Sequence, residues 1–212
     1  MAINKTLKVV LVEPAGPINV GSVARLCENF SVHELRLVSP KCEYLDQEAK
    51  MMAVKGLKIL ENAKVYEDLN SALSDCTRII ATCGRKEHGE IPLNSNKDAL
   101  CWALKSEREE TIALVFGRED RGLSNEELLK ANKVISLNTN ENYPSLNLSH
   151  AVAIVLHQFN QLNDLDLLKN HAKTSSPANL IKLEDCINDA GGLLLDIGLS
   201  LIHISEPTRL GF

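Results

Sequence analysis

Six residues, Thr111-Ile112-Ala113-Leu114-Val115-Phe116, form an apolar run that stops at Gly117 and passes into the charged stretch Arg118 to Arg121. A second glycine, Gly122, follows. Ser124 with Glu127 three positions on is then the capping-box signature that opens a helix. A buried strand that breaks into a charged loop and then a helix start is the arrangement in which α/β proteins build ligand sites. The chain repeats this order. Residues 8–12 read as an apolar strand ending in a loop, 13–18, that holds two prolines and a glycine. Short strands are expected at 34–38, around Val65, at 78–82 and at 133–137. Helices are expected at 44–60 with an interruption near Gly56, and at 69–73, 98–105 and 124–131. Residues 148–162 are apolar nearly all round, which predicts a helix buried in a core or at a subunit interface. The alternation predicts an α/β fold: a mostly parallel sheet with helices on both faces.

Residues 1–162 thus read as one domain. A polar linker at 163–179 and an amphipathic helix at 180–195, weakened by Gly191-Gly192, fill 163–198. Residues 199–212 fit nothing before them. They resemble a read-through or adaptor-derived tail that need not be native, and are left out of the fold reading. With 44% hydrophobic and 24% charged residues the composition is that of a soluble globular chain. No apolar run reaches the ~20 residues of a membrane span. The six cysteines have no CxxC pair, which gives no zinc signature and points to reduced, cytoplasmic thiols. At net charge −5 any nucleic acid must be met by a local basic patch.

Three loops leave the carboxyl ends of the expected strands: 82–85, 117–123 and 137–147. In the third, Ser145, Asn147 and Ser149 are each acceptable helix N-caps. A capping role accounts for one of them and leaves the others free. No GxGxxG follows the first strand and no GxxxxGK[ST] occurs, so neither a dinucleotide site nor a P-loop is supported. On the first helix Val20, Val23, Ala24 and Cys27 form one stripe, and Arg25 lies about 160° from its middle, facing solvent or a partner. His150 and His157 are expected to be packed or interface residues rather than metal ligands, and no metal site is expected.

Asn19-Val20-Gly21-Ser22-Val23-Ala24-Arg25, Val115-Phe116-Gly117-Arg118-Glu119-Asp120-Arg121-Gly122-Leu123-Ser124 and Ser145-Leu146-Asn147-Leu148-Ser149 resemble, in order and spacing, the three signature motifs of the SPOUT superfamily. The likeness is to its SpoU/TrmH branch of RNA ribose 2′-O-methyltransferases and covers roughly residues 7–162. Glu13-Pro14, Phe30 and Tyr143 are similar to features of the TrmJ-type tRNA enzymes. The resemblance implies a C-terminal trefoil knot, a rare exception to unknotted topology. It implies S-adenosyl-L-methionine as cofactor, contacted at Thr82, Cys83, Gly84, Gly117, Leu137, Ser145, Leu146 and Asn147. It also implies a homodimer whose active site is completed across the interface by Arg25.

The implied reaction is 2′-O-methylation of a ribose in tRNA, a pyrimidine on the 5′ side of the anticodon loop. Ribosomal RNA, or a non-catalytic SPOUT-like RNA-binding domain, are the alternatives. The catalytic set carried over is Arg25, Asn19, Glu119, Ser145 and Asn147. An arginine's pKa above ~12 makes it a poor general base, so phosphate binding and alkoxide stabilisation are preferred for Arg25. RNA would be held by Arg25 and by a rim of Arg85, Lys86, His88, Arg118 and Arg121. With 4% aromatic residues, base stacking is not a major mode.

Overall fold

The computed structural model describes residues 6–84, 89, 91–105, 110–140, 142–164 and 179–196. Six strands, β1 (Thr6–Val12), β2 (Glu34–Val38), β3 (Lys64–Tyr66), β4 (Arg78–Thr82), β5 (Thr111–Phe116) and β6 (Lys133–Ile135), form one sheet in the order β3-β2-β1-β5-β4-β6. Every neighbouring pair is parallel. Because both faces are covered, the central strands are apolar throughout and their alternation divides the interior in two. Val9, Leu11, Leu35, Leu37, Ile80, Ile112, Leu114 and Phe116 point into one core. Val10, Val12, Val38, Ile79, Ala81, Ala113 and Val115 point into the other.

The first core is roofed by α1 (Pro17–Asn29), α2 (Gln47–Ala53), α3 (Leu57–Glu61), α5 (Asn96–Leu104) and α7 (Leu148–Asp164). On the opposite face lie α4 (Leu69–Leu73), α6 (Asn125–Leu129) and the start of α8 (Leu180–Asp196). Three strand-to-helix junctions are capped by their own N-cap side chain: Asp46 accepts from the Ala49 amide, Asp68 from Ser71, and Ser124 and Glu127 form the expected reciprocal box. The expected helix over 44–60 begins only after its Asp46 cap. It breaks in a 3-10 turn at Val54–Gly56, where a Cβ on Gly56 would meet the Ala24 carbonyl oxygen at 2.4 Å.

The structure modifies two expectations. Residues 148–162 do form a helix, but only the stripe Leu148, Val152, Val155, Leu156 and Phe159 is buried. Ile154 is 38% exposed, and His150 and His157 face outward, His157 edge-on to Phe30 at 6.5 Å, which leaves the interface alternative for both. Strand β6 stops at Ile135, which leaves Leu137 in a loop. The expected helix at 180–195 forms as α8 and runs through Gly191-Gly192 to Asp196. That helix is fastened at its start, where Leu180 enters the second core, Asn179 donates to the Ser74 carbonyl and Lys130 pairs with Glu184 at 3.5 Å. The 199–212 tail lies outside the described residues.

Candidate active site

Strand order reverses between β1 and β5. The helix after β1 covers one face of the sheet and the helix after β5 covers the other, so the loops leaving these two strands flank a crevice. The first loop turns sharply at Glu13, whose φ of 46° is in the left-handed region and whose amide donates to the Val38 carbonyl at 2.8 Å. Pro17 then starts α1 with φ already suited to a helix. Gly16 stands at the N-cap and offers no side chain to the free amides. Glu119, from the loop after β5, supplies the missing acceptor: Ala15 and Gly16 amides donate to its carboxylate at 3.1 Å and 3.2 Å. An anion at a helix N-terminus is favoured by the aligned peptide dipoles as well as by these bonds.

Glu119 also accepts from Asn19 Nδ2 at 3.1 Å, and Asn19 Oδ1 accepts from Asn147 Nδ2 at 2.9 Å. One relay, Glu119–Asn19–Asn147, therefore ties the loop after β5, the first turn of α1 and the start of α7 together. At its far end Asn147 caps α7, its Oδ1 accepting from the Ser149 amide and hydroxyl at 2.9 Å and 2.7 Å. Of the three possible caps Asn147 is the one used. Ser145 stays exposed on the wall of a cavity.

That cavity, about 210 Å³, opens where the loops after β4, β5 and β6 converge. Thr82, Cys83, Gly84, Gly117, Leu137, Ser145 and Leu146 line it, as expected of cofactor positions, whereas Asn147 lies in the relay outside the lining. The loop after β5 is folded on itself. The Gly122 amide donates to the Arg118 carbonyl at 3.0 Å, Gly122 takes φ +67°, and a Cβ on Gly117 would meet Gly122 C at 2.3 Å. Glycine is therefore required at both positions.

Charge at this edge differs from the expected basic rim. Arg118 is turned inward: Nε donates to Glu13 at 2.6 Å, while the two terminal nitrogens donate to Glu127 at 2.8 Å and 2.9 Å. One Nη1 hydrogen also goes to the Gly122 carbonyl at 3.2 Å, so four of its five donors are used within the protein. Hydrogen bonding from Arg118 holds the Glu13 carboxyl below the usual range. Partial burial pulls the Glu127 carboxyl upward, but the Arg118 and Ser124 bonds outweigh it and leave it lowered. Arg121 is 67% exposed, touching Glu13 at 3.3 Å. Arg25 stands on the outer side of α1, exposed and away from the cavity lining. Arg85, Lys86 and His88 lie outside the described residues. Among the described residues the cavity lining carries Glu119 and Asp120 against Arg118 and Arg121, with Glu13 and Glu127 paired to Arg118 outside the lining and Lys41 3.9 Å from Glu13. The roles of Glu13 and Glu127 as arginine anchors were not readable from the sequence, where Glu127 served only as a cap. Among the described residues no group of three His, Cys, Asp or Glu side chains is placed to hold a metal ion.

Comparison with known proteins follows the same outline. Residues 6–157 match the model of the SpoU rRNA Methylase family. The chain is 41% identical over 156 residues to a tRNA (cytidine-2′-O-)-methyltransferase, TrmJ, of Methanocaldococcus jannaschii, covering 72% of this chain and 66% of that protein. It is 31% identical over 154 residues to the tRNA (cytidine/uridine-2′-O-)-methyltransferase TrmJ of Escherichia coli K12, covering 73% of this chain and 62% of that one. The chain thus spans just under two thirds of the length of these two relatives. The crystal structure of TrmJ from Z. mobilis ZM4 superposes with a TM-score of 0.75 at 27% identity, over 91% of this chain and 81% of the other.

Proposed function

The chain belongs to the SpoU rRNA methylase family, and from that premise we propose that it transfers a methyl group from S-adenosyl-L-methionine to a ribose 2′-hydroxyl of tRNA, at a pyrimidine of the anticodon loop. The observation that carries this reading is the Glu119–Asn19–Asn147 relay beside a cavity lined by seven of the positions expected at the cofactor. The lining suits the cofactor chemically. Leu137, Leu146 and Leu148 offer an apolar surface to an adenine ring. Gly84 and Gly117 leave backbone accessible, and the carboxylates of Glu119 and Asp120 favour a cationic sulfur. Relatives named for cytidine and uridine 2′-O-methylation of tRNA support the choice of substrate.

When bound, the cofactor supplies an already activated methyl group, so the protein's task is to place the hydroxyl in line and stabilise its oxygen as the proton departs. Arg25, permanently charged, binds the adjacent phosphate and stabilises the developing alkoxide. Asn19, held from both sides in the relay, fixes the N-terminal turn of the helix that carries Arg25. Ser145 faces the cavity and is available to the ribose.

Arg25 does not line the cavity of its own chain, which fits a site completed by Arg25 of a second copy. Helices α1 and α7 pack side by side, with His157 of α7 against Phe30 at the end of α1, and Arg25, His150, Ile154 and His157 are all exposed. We assign this surface to a homodimer interface and the chain path through β6 and α7 to the family's knot. Residues 1–162 form the methyltransferase domain in this reading, with α8 belonging to the region that follows. A cytoplasmic location agrees with a tRNA substrate, and no helix among the described residues is long and apolar enough to cross a membrane.

The test is labelled methyl transfer to a tRNA transcript and to the same transcript with a 2′-deoxy residue at the target position. Label in the first and none in the second is expected. Equal labelling, or labelling of ribosomal RNA alone, overturns the assignment. In the same assay Arg25→Ala should abolish transfer while leaving binding of S-adenosylhomocysteine intact.

A further inference from the structure

Two consecutive residues of the loop after β5 grip the loop after β1 from different sides. Glu119 takes the Ala15 and Gly16 amides and Asn19 Nδ2, while Arg118 takes the Glu13 carboxylate at 2.6 Å. Arg118 simultaneously reaches the start of α6 through paired bonds to Glu127 at 2.8 Å and 2.9 Å, and closes its own loop on the Gly122 carbonyl. Its guanidinium therefore crosslinks three segments behind the cavity wall formed by residues 117–122. Sheet pairing holds β1 beside β5 and Leu123 anchors the far end of the loop in the second core, but the wall between has few other ties. Gly117 and Gly122 make no side-chain contacts of their own, and Asp120 and Arg121 are exposed. Five donors fixed in a plane can span two carboxylates and a carbonyl, which a single ammonium cannot.

We propose that Arg118 is a positioning residue for the cofactor, fixing the 117–122 wall through Glu13 and Glu127 rather than contacting RNA. Resting on the cofactor reading of the cavity, the inference places the energetic effect of Arg118 in ligand affinity. Preorganised walls spare the ligand the cost of ordering them, so a loosened wall weakens binding without a matching loss of fold.

Glutamine at position 127 is the informative substitution. Glu127→Gln is compatible with the capping box, which accepts Glu or Gln at that position, and removes one of the two carboxylates paired with Arg118 while leaving Glu13. Calorimetry with S-adenosylhomocysteine and thermal melts would be run on the wild type and on Arg118→Gln, Arg118→Lys and Glu127→Gln. Arg118→Gln should weaken binding about tenfold. Arg118→Lys should recover only part of this, and Glu127→Gln should cost threefold or more while lowering Tm by no more than about 4 °C. If Arg118→Gln fails to fold, Glu127→Gln decides alone. Wild-type affinity in both folded variants, or full rescue by lysine, overturns the inference. A wild-type protein that binds no S-adenosylhomocysteine overturns the cofactor reading and this inference together.

Discussion

Three basic side chains, Lys8, Arg36 and Arg78, are only 5%, 1% and 1% exposed, inside or at the end of strands where periodicity asks for apolar residues. Each is matched. Arg36 pairs with Glu34 and with Asp75 at 2.7 Å, donates to the Ala72 carbonyl, and lies over the Tyr66 ring at 5.3 Å. Lys8 reaches the same Asp75 at 2.6 Å, while Arg78 pairs with Glu110 under the Trp102 ring. Glu34, two positions away on the same strand face, is a local partner of Arg36, but Asp75, 39 positions away in sequence, is not readable from any local pattern. The Arg36 hydrogen bonds, aided by Lys8, hold the Asp75 carboxyl far below its ordinary value against the opposing effect of burial. A depressed carboxylate stabilises the fold fully above its unfolded pKa of about 4 and loses that contribution as pH falls further. Asp75→Asn should therefore destabilise by about 1–3 kcal/mol at neutral pH. That is less than a fully buried pair, because 55% of the Asp75 side chain remains in water. The difference between variant and wild type should shrink below pH 4, as read by urea unfolding across pH. A constant difference down to pH 2 would assign the effect to packing instead.

At the scale of elements, α1 is where the site and the core meet. Its buried stripe of Val20, Val23, Ala24 and Cys27 was legible from 3.6-residue spacing, and the outward position of Arg25 follows from the same geometry. What spacing did not reveal is how closely α2 approaches. A Cβ on Gly21 would lie 2.1 Å from the Ala49 carbonyl oxygen, backbone that cannot move aside without displacing the helix. Gly21→Ala gains up to ~1 kcal/mol of helix propensity but incurs an overpacking cost of about 1–3 kcal/mol, so sterics win. We expect a lower Tm, and weaker methyl transfer because Asn19 and Arg25 shift with the helix. An unchanged or raised Tm would show that α1 and α2 separate freely. Helix α7 illustrates the opposite case. Composition predicted burial on all sides, yet one chain covers only the stripe on which Leu148, Val152 and Phe159 lie.

At the scale of the whole molecule, the proposed homodimer would cover the exposed side of α7 and bring Arg25 to the partner's site. Ile154→Asp, at a position 38% exposed and outside the core, should leave the circular dichroism spectrum intact. It should convert a dimer into a monomer by light scattering and reduce methyl transfer at least a hundredfold, since a truncated catalytic constellation loses most of its rate. A fully active monomer would place Arg25 in the site of its own chain.

Alternation, capping residues and three loop motifs determined the α/β class, the two-sided parallel sheet, the order of its elements and the residues gathered at its carboxyl edge. These follow from short-range rules, because a residue's helical or strand period and its capping chemistry depend on near neighbours. Tertiary structure alone decided that Glu119 caps a helix 103 positions away and that Asn147 rather than Ser145 or Ser149 caps α7. It alone turned Arg118 inward onto Glu13 and Glu127 instead of outward to a rim. A charged side chain's partner is set by which loops the strand order brings together. That order, reversing between β1 and β5, is a property of the assembled sheet.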